Sequence, residues 1–279
     1  TQSSISDLKK QIKEKEDSIK ERDKQMRARL LEMQAYTGSN YYIDFLMGST
    51  SFTDLLRRTE IVGELNRYEN EQIKTYIRKA DDALRVLGFT EHSFAHVGKV
   101  ARQARDILLT LGYPERTAEL AQIAGYLHDI GNVINRVDHA QSGAVMAFRL
   151  LDNMGADAED IATIISAIGN HDEGTAVAVD AVAAALILAD KTDVRRTRVR
   201  NRDMATFDIH DRVNYAVEES STAISGDKKS ITLQIRIDTE LSSVMDYFEI
   251  FLDRMLLCRK AAERLGLKFR LVINGQTVL

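Results

Sequence analysis

Histidine and aspartate residues form an ordered series in the middle of this chain. His128 and Asp129 are adjacent, in the stretch Gly-Tyr-Leu-His-Asp-Ile-Gly-Asn. Four of the chain's six histidines belong to the series, which a random scatter would seldom produce. Imidazole nitrogen and carboxylate oxygen together suit zinc, iron or manganese. The series therefore predicts a metal site, with six ligands: His96, His128, Asp129, His139, His171 and Asp190.

The ligand types indicate what such a site could do. Neighbouring residues of a helix point about 100° apart, so His128 and Asp129 at a helix end can share one metal, or Asp129 can bridge two. Two divalent ions about 3.5–4 Å apart clamp the attacking and leaving oxygens of a phosphoryl transfer and lower the pKa of a bound water toward about 7. This chemistry predicts hydrolysis of a phosphate mono- or diester, with Asp129 as a catalytic residue.

Two other histidines have a structural alternative. His92 lies four residues before His96, on the same helical face if the helix already runs there. It is a candidate for catalysis or substrate contact, but Glu91-His92-Ser93 is also typical of the start of a helix. His210 is interpreted as a structural residue at a helix start. Asp172 and Glu173, which follow His171, either hydrogen-bond a ligand or are surface charges.

A basic segment follows Asp190 directly. Lys191 is predicted to act in catalysis and substrate binding, and Arg195 and Arg196 in substrate binding, because guanidinium groups bind phosphate in a bidentate manner. The alternative is a solvated basic face paired with the chain's many carboxylates. Nucleic acid is not expected as a partner, because the net charge is −4 and no aromatic residues are interleaved with the basic run.

Composition sets broad limits. The 279 residues are 44% hydrophobic, which is enough to build a core. The single cysteine, Cys258, excludes an internal disulfide and is predicted to be a buried helix residue. No apolar run approaches the ~20 residues of a membrane span, and no signal peptide is visible. These features predict a cytoplasmic location for the central domain and no membrane span.

The elements that would position the ligands are mostly helices. Periodicity and capping residues predict helices over 72–87, 93–111, 114–129, 139–153, 157–168 and 182–189. Asp190 closes a nearly pure apolar helix, where a carboxylate needs a partner. Further on, strands over 230–238 and 268–274 flank a helix over 240–265, which predicts a small βαβ-like appendage. Four residues of that helix are predicted to be core: Met245, Phe248, Phe251 and Met255.

The N-terminal region predicts a helical hairpin. Apolar residues recur every seven positions over 1–36, a break follows at 37–40, and a compact apolar tip over 42–54 leads into a returning helix from about 53. The apolar stripe is narrow because the companion positions are mostly polar. We therefore expect it to pack on a helix of the same chain or on a partner. A homodimer or a protein partner bound through residues 1–70 is predicted.

The central region, residues 73–193, resembles the HD-domain metal-dependent phosphohydrolases. The resemblance implies an all-helical domain with a metal in its core. His139 and His171 match the extra histidines of the two-metal members, whereas the single-metal members need only the other four ligands. Asn132 departs from the family, since many members carry a lysine there. Five blocks carry the likeness: His-Val-Gly-Lys-Val-Ala-Arg-Gln-Ala from 96, Leu-His-Asp-Ile-Gly from 127, His-Ala-Gln-Ser-Gly-Ala from 139, Ile-Gly-Asn-His-Asp-Glu from 168 and Leu-Ala-Asp-Lys-Thr-Asp from 188.

The hairpin tip is similar to that of another family. The stretch Tyr-Ile-Asp-Phe-Leu-Met-Gly-Ser-Thr-Ser-Phe-Thr-Asp-Leu-Leu-Arg-Arg from 42 resembles the coiled-coil domain of PcsB-type cell-wall hydrolase proteins of Gram-positive bacteria. In that family the segment is extracellular and regulates or docks a peptidoglycan hydrolase. The two resemblances conflict on compartment, and they imply a natural fusion or an engineered chimera. An ordinary amphipathic hairpin used for dimerisation is the alternative.

Together these observations predict a mostly α protein: an HD-type helical bundle with an N-terminal coiled-coil hairpin and a small C-terminal βαβ-like appendage. The predicted domains are 1–70, 71–225 and 226–279. The predicted function is a metal-dependent phosphohydrolase with a small phosphorylated substrate, such as a nucleotide, cleaved by a metal-activated hydroxide. Two divalent ions are expected, drawn from iron, manganese, zinc, cobalt or nickel. The alternative is a non-catalytic binding or scaffold protein whose hairpin mediates protein–protein interaction.

Overall fold

The computed structural model of the chain describes residues 12, 13, 15, 17 and 49 and the continuous segment 52–279. Residues 12, 13, 15 and 17 are helical. The remainder of the predicted heptad helix and of the hairpin tip lies outside the described residues. The chain forms two compact units, one of residues 1–71 with 153–156 and one of residues 72–152 with 157–279.

The first helix of the continuous segment is longer than predicted. Helix α1 spans Phe52–Val86 without interruption and joins what the sequence predicted as two helices, one from about 53 and one over 72–87. The two predicted helices are continuous because no proline and no glycine occurs between Gly63 and Gly88, so nothing in the backbone stops the helix. Gly88 ends it with φ 82°, a left-handed conformation that favours glycine.

Five helices follow and carry the predicted ligands. Their ends are set by side-chain caps: Ser93 accepts a hydrogen bond from the backbone N–H of Ala95, Asp157 from that of Glu159, and Asp180 from that of Ala183. A 3₁₀ turn at Ile130–Val133 follows the third helix. The helices are α2 (Phe94–Leu111), α3 (Glu115–Leu127), α4 (His139–Asn153), α5 (Ala158–Gly169) and α6 (Ala181–Lys191).

Helix α6 is the centre of this bundle. From Val182 to Lys191 every residue is buried, and the helix packs against α2, α3 and α5. An apolar helix of this kind is covered on all sides, which explains why its sequence shows no amphipathic period. Its last turn therefore brings Asp190 into the interior of the domain, next to the helices that carry the histidines.

A small sheet completes the structure. After α7 (Ile209–Ala216), the strands β1 (Val217–Ile224), β2 (Ser230–Ile237), β3 (Lys268–Ile273) and β4 (Gln276–Thr277) pair in the order β1-β2-β3-β4. Strands β2 and β3 are parallel and are joined by α8 (Val244–Arg264), which confirms the predicted βαβ unit. The sequence did not predict β1 or β4, which pair in an antiparallel manner at the two sides.

The fold class was predicted correctly: the chain is mostly helical, with a small C-terminal sheet. Helix α8 packs on both α6 and β3, so the appendage shares a core with the helical domain. Of the four residues assigned to that core, Phe251 and Met255 are buried, whereas Met245 is 74% exposed. Over the described residues, no helix combines the length and apolar character that a membrane crossing needs.

Candidate metal centre

Three buried imidazoles are each anchored through Nδ1. His96 lies in the first turn of α2, His128 directly after α3, and His171 shortly after α5. The Nδ1 of His96 lies 2.8 Å from Asp193 Oδ2, while the Nδ1 atoms of His128 and His171 lie 2.9 Å and 2.6 Å from the carbonyl oxygens of Gly125 and Ile168. An Nδ1–H that donates to these oxygens leaves each Nε2 with a free lone pair. That is the tautomer of a metal ligand.

The atoms at the centre of the cluster lack hydrogen-bond partners. His96 Nε2, His128 Nε2 and Asp129 Oδ2 are fully buried, and none bonds to any part of the chain that the structure describes. Asp129 Oδ2 lies 3.2 Å from His128 Nε2 and 3.6 Å from His96 Nε2. Buried acceptors without donors are costly. A cation among them would satisfy all three, so the residues fit a metal ion.

Two overlapping sets of ligand atoms can be distinguished. Donor atoms of one set, His96, His128 and Asp190, lie within 4.8 Å of one another, and so do those of the other, His128, Asp129 and His171. The two oxygens of Asp129 face different partners, since Oδ1 lies 3.6 Å from His139 Nε2 while Oδ2 faces the other histidines. His139 Nε2 is in turn 3.3 Å from the Nε2 of His171. All six predicted ligands therefore converge on one cluster.

The protonation states suit metal binding. Burial alone would raise the pKa of Asp129, but His128 and His92 hold that pKa well below its usual value. Burial likewise opposes the ionised form of Asp190, and Lys191 with the nearby histidines keeps its pKa well below the usual value. Burial lowers the pKa of His171 and His139, which keeps both imidazoles neutral. Ionised carboxylates and neutral imidazoles are the forms that bind metals.

His128 is the exception among the imidazoles. Burial lowers its pKa, but the adjacent carboxylates of Asp129 and Asp190 outweigh burial and raise the pKa above the usual value. Positive charge at the His128 ring is thus favoured. A bound proton or a bound metal ion can provide this charge, and a metal ion must displace the proton in order to bind.

Further side chains hold the ligands in place. Asn132 Nδ2 donates to both the carbonyl oxygen and Oδ1 of Asp129, at 2.9 Å and 3.0 Å. This contact gives a role to the residue that stands where many HD proteins carry lysine. Asp193 is fully buried and accepts hydrogen bonds from His96, Lys99 and Arg195. Partners of this kind fix the ring orientation of a ligand and tune its basicity.

A cavity of about 520 Å³ opens onto the cluster. Asp129, His139, His171 and Asp190 lie in its wall, together with the predicted catalytic residues His92 and Lys191. Its volume is in the range of small-molecule sites. Lys191 is buried, and its Nζ lies 2.8 Å from Asp190 Oδ2. His92 bonds through Nδ1 to the carbonyl oxygen of Thr90 at 2.7 Å.

The other two predicted substrate-binding residues are not brought to this cavity. Arg195 bonds to Asp193 and lies 3.6 Å from Glu91, while Arg196 donates to the carbonyl oxygen of Tyr215 and stacks on its ring. Neither arginine belongs to the cavity wall formed by the described residues. Their guanidinium groups serve the folding of the segment that follows α6.

Several cavity residues were missed by the sequence analysis. The missed arginines of the wall are Arg136 and Arg254, whereas Arg198 belongs to the basic segment predicted to contact phosphate. His210, interpreted as structural, lies in the wall too. Arg254 comes from α8, where nothing in the local sequence separates it from an ordinary surface arginine. It stacks on Phe251, which was assigned to the core but also lines the cavity. The proximity of Arg136 to His139 in the sequence was a signal that could have been used.

Comparison with known proteins agrees with this geometry. Residues 93–212 match the family model of the HD domain. The chain contains an HD domain. The matched region includes all six predicted ligands and ends within α7. HD domains belong to a superfamily of metal-dependent phosphohydrolases, and the cluster described above is where such a domain would hold its divalent ions.

A second family model matches the N-terminal part. Residues 12–83 match the coiled-coil domain of peptidoglycan hydrolase PcsB, so the chain combines this domain with the HD domain. Uncharacterized protein MJ1020 of Methanocaldococcus jannaschii is 26% identical over 195 residues, which covers 62% of this chain and 74% of the relative. No solved structure matches the chain.

Proposed function

We propose that this protein hydrolyses a small phosphate mono- or diester, such as a nucleotide. One observation carries the proposal: unpartnered, buried ligand atoms of the HD domain, His96 Nε2, His128 Nε2 and Asp129 Oδ2, lie beside a cavity large enough for such a molecule. Divalent ions held there would supply an activated hydroxide and would neutralise charge on the phosphate oxygens.

The charge of the cavity wall supports two ions rather than one. Six acidic residues line the cavity: Asp129, Asp172, Glu173, Asp190, Asp208 and Asp211. Only four lysine or arginine residues accompany them: Arg136, Lys191, Arg198 and Arg254. The wall by itself is therefore negative and would repel a phosphate dianion. Two divalent cations would reverse its sign, whereas one would only neutralise it.

We assign His96, His128, Asp129 and Asp190 to the first ion. Asp129, His139 and His171 are assigned to the second. Asp129 is shared because its two oxygens face different histidines. Nitrogen and oxygen ligands of this type accept several transition metals, among them iron, manganese, zinc, cobalt and nickel.

Lys191 and His92 are proposed to contact the substrate. The Lys191 ammonium group is buried at the cavity wall, where its charge would act on a phosphate oxygen at low local dielectric. His92 has its Nδ1 engaged by Thr90, so its Nε2 remains available to the substrate. Arg254, held by Glu173 at 2.7 Å and stacked on Phe251, is a third candidate for binding phosphate.

The test combines metal content with turnover. The full chain, purified without chelator, is analysed for metals and assayed with p-nitrophenyl phosphate, its bis-ester and a panel of nucleotides. We expect about two ions per chain, and a loss of activity of more than about 100-fold in His128→Ala and Asp129→Ala with helicity retained. Asp253→Asn, an exposed position on α8, is the control. A folded protein that takes up no added metal would overturn the proposal.

The N-terminal region supports a second role. Because residues 12–83 match a coiled-coil domain, we propose that residues 1–70 mediate a protein contact, either between two copies of the chain or with another protein. We also propose that residues 1–70, 71–225 and 226–279 are the three domains of the chain. Light scattering on the full chain tests the first option, since a monomer at micromolar concentration would leave only a different partner.

A further inference from the structure

A second cavity lies against α2, further along the helix from His96. It has a volume of about 490 Å³ and is lined by α2 and by the strand β1. None of its wall residues lines the metal-centre cavity. The polar residues that carry the following argument are Lys99, Arg102, Gln103, Asp106, Ser220 and Thr222.

The helix side of this cavity is a polar stripe. Lys99, Gln103 and Asp106 recur at intervals of four and three residues, which places them along one face of α2. Gln103 Nε2 donates to Thr192 Oγ1 at 2.9 Å, and Lys99 Nζ lies 2.7 Å from Asp193 Oδ1. The stripe thus contacts the two residues that follow α6, close to the metal ligand Asp190.

The strand side is polar where an apolar face would be expected. Ser220 and Thr222 pair with Ile235 and Leu233 of β2, and residues directly opposite each other share one face of a sheet. Ile235 and Leu233 are buried in the core, so Ser220 and Thr222 also point to the core side of the sheet. Hydroxyl groups at such positions suit a wall that contacts a polar ligand.

The charges at one end of the cavity are not balanced. Within the part of the chain that the structure describes, Arg102 forms no ion pair. Lys99 must share the carboxylate of Asp193 with Arg195 and with His96. Asp106 lies one helical turn beyond Arg102, with which it forms no ion pair, and about 10 Å along the axis from Lys99. One end of the cavity therefore attracts an anion, and the other can accept hydrogen bonds from hydroxyl groups.

We propose that this cavity is a second binding site, for a phosphorylated sugar, and that Lys99 couples its occupancy to the metal centre. The phosphate contacts Lys99 and Arg102, while the sugar hydroxyls contact Asp106, Ser220 and Thr222. The binding part of the proposal is independent of the phosphohydrolase function, and only the coupling depends on a metal at His96.

The coupling follows from the shared carboxylate. A phosphate at Lys99 competes with Asp193 for the ammonium group, whose side chain is 36% exposed and free to turn outward. Asp193 then accepts more strongly from His96 Nδ1–H, which makes Nε2 a stronger metal ligand. Ligand and metal therefore raise each other's affinity, and by the same factor, because binding linkage is reciprocal.

Binding is tested by calorimetry on the full-length, metal-free protein with ribose 5-phosphate, inorganic phosphate and ribose as probes. We expect one site for ribose 5-phosphate, weakened about tenfold or more in Arg102→Gln, which removes a charge-assisted contact. Arg105→Gln, on the same helix but paired with Glu115, is the matched control and should bind normally. Lys191→Gln, which alters the metal-centre cavity, should also bind normally.

Three results would overturn the assignment. Absence of ribose 5-phosphate binding, or binding that is lost in Lys191→Gln but kept in Arg102→Gln, would remove the site. Inorganic phosphate binding as tightly as ribose 5-phosphate would contradict the sugar contacts. Because these measurements need neither metal nor turnover, they give the same answer whether or not the protein is a phosphohydrolase.

Coupling is tested by Mn²⁺ affinity, followed by electron paramagnetic resonance. We expect ribose 5-phosphate to raise Mn²⁺ affinity severalfold in the native sequence and to have no effect in Arg102→Gln. Lys99→Met should bind Mn²⁺ more tightly without any ligand, because Asp193 has lost one competing cation. An unchanged Mn²⁺ affinity in Lys99→Met, with the fold intact, would contradict the coupling.

Discussion

His96 donates through Nδ1 to Asp193 Oδ2 at 2.8 Å, and both side chains are completely buried. This one contact joins the first turn of α2 to the segment just after α6 across 97 residues of sequence. It directs His96 Nε2 toward Asp190 Oδ1, 3.3 Å away, and so determines where a metal could bind. A carboxylate behind a ligand imidazole also raises its basicity.

We predict that Asp193→Asn weakens metal binding by about 10- to 100-fold, the range found when a group behind a metal ligand is changed. The amide can still accept a hydrogen bond from His96, but it carries no charge to balance Lys99 and Arg195. Metal affinity measured by competition with a chelator checks this. Asp253→Asn is the control, and native affinity in Asp193→Asn would show that Asp193 does not act through His96.

The same residue predicts how stability depends on pH. Burial would raise the pKa of Asp193, but His96, Arg198 and Arg195 hold it far below its ordinary value. A carboxyl whose pKa is depressed by folding stabilises the protein above its unfolded pKa of about 3.9, and that contribution is lost as pH falls toward the folded pKa.

We therefore expect the metal-free protein to lose stability progressively below about pH 4, and Asp193→Asn to lose less over the same interval. Urea unfolding at pH values between about 3 and 7 gives both curves. If the free energy of unfolding fell equally with pH in the two proteins, folding would not lower the pKa of Asp193.

The structure leaves no room for a side chain at Gly131, next to the start of α4. A Cβ atom at this position would lie 2.0 Å from the carbonyl oxygen of His139 and 2.5 Å from the backbone nitrogen of Gly143. Backbone atoms cannot turn aside, so Gly131→Ala should cost about 1–3 kcal/mol of unfolding free energy or more and displace His139 from the cluster. Denaturant titration and metal content measure the two effects.

Gly226→Ala is the matched control for that substitution. A Cβ at Gly226 meets no atom within 4 Å, so this variant should unfold at the same denaturant concentration as the unmodified protein. If Gly131→Ala were as stable as Gly226→Ala, Gly131 would not lie in close contact with the backbone of α4.

The reactivity of Cys258 provides a test of the packing of α8. The thiol is fully buried, and burial raises its pKa to about 12. Because the thiolate is the reactive form, a disulfide reagent at pH 8 should label the folded protein far more slowly than the urea-unfolded protein. Equal rates would show that α8 does not cover this side of the domain.

The sequence predicted the convergence of the six histidine and aspartate side chains better than the cavity around them. His96 and Asp190 lie on helices that begin at capping residues, Ser93 and Asp180, and His128 follows a helix directly, so their order along the chain was informative. Arg254 lies on α8, in a unit predicted as a separate appendage, and it reaches the cavity because α8 packs on α6. No local pattern records such a contact between distant elements.

The sequence also predicted only part of the β-sheet. Strand β2 was predicted because its residues alternate between apolar and polar. Strand β1 was missed because Ser220 and Thr222 occupy positions on its core side, where hydrophobic residues would have given the same alternation. The second binding site proposed above would account for the hydroxyl residues on this face.

Metal removal should destabilise the protein measurably. Without a cation, His96 Nε2, His128 Nε2 and Asp129 Oδ2 remain buried without a partner among the described residues. A metal that binds only the folded chain adds about 2.7 kcal/mol when its free concentration is 100 times Kd. That corresponds to roughly 5–10 °C in Tm for a domain of this size. Calorimetric scans with chelator and with added Mn²⁺ or Zn²⁺ measure the difference.

The variants assign this stabilisation to the cluster. In His128→Ala the metal-dependent rise in Tm should shrink more than in His139→Ala, because His128 is assigned to the first ion and its donor atom also lies within 4.8 Å of those of Asp129 and His171. His139→Ala should keep part of the rise, because His96, His128 and Asp190 can still hold one ion. A rise that persists unchanged in His128→Ala would mean that the metal binds elsewhere on the chain, and the cluster would then need another explanation for its unpartnered atoms.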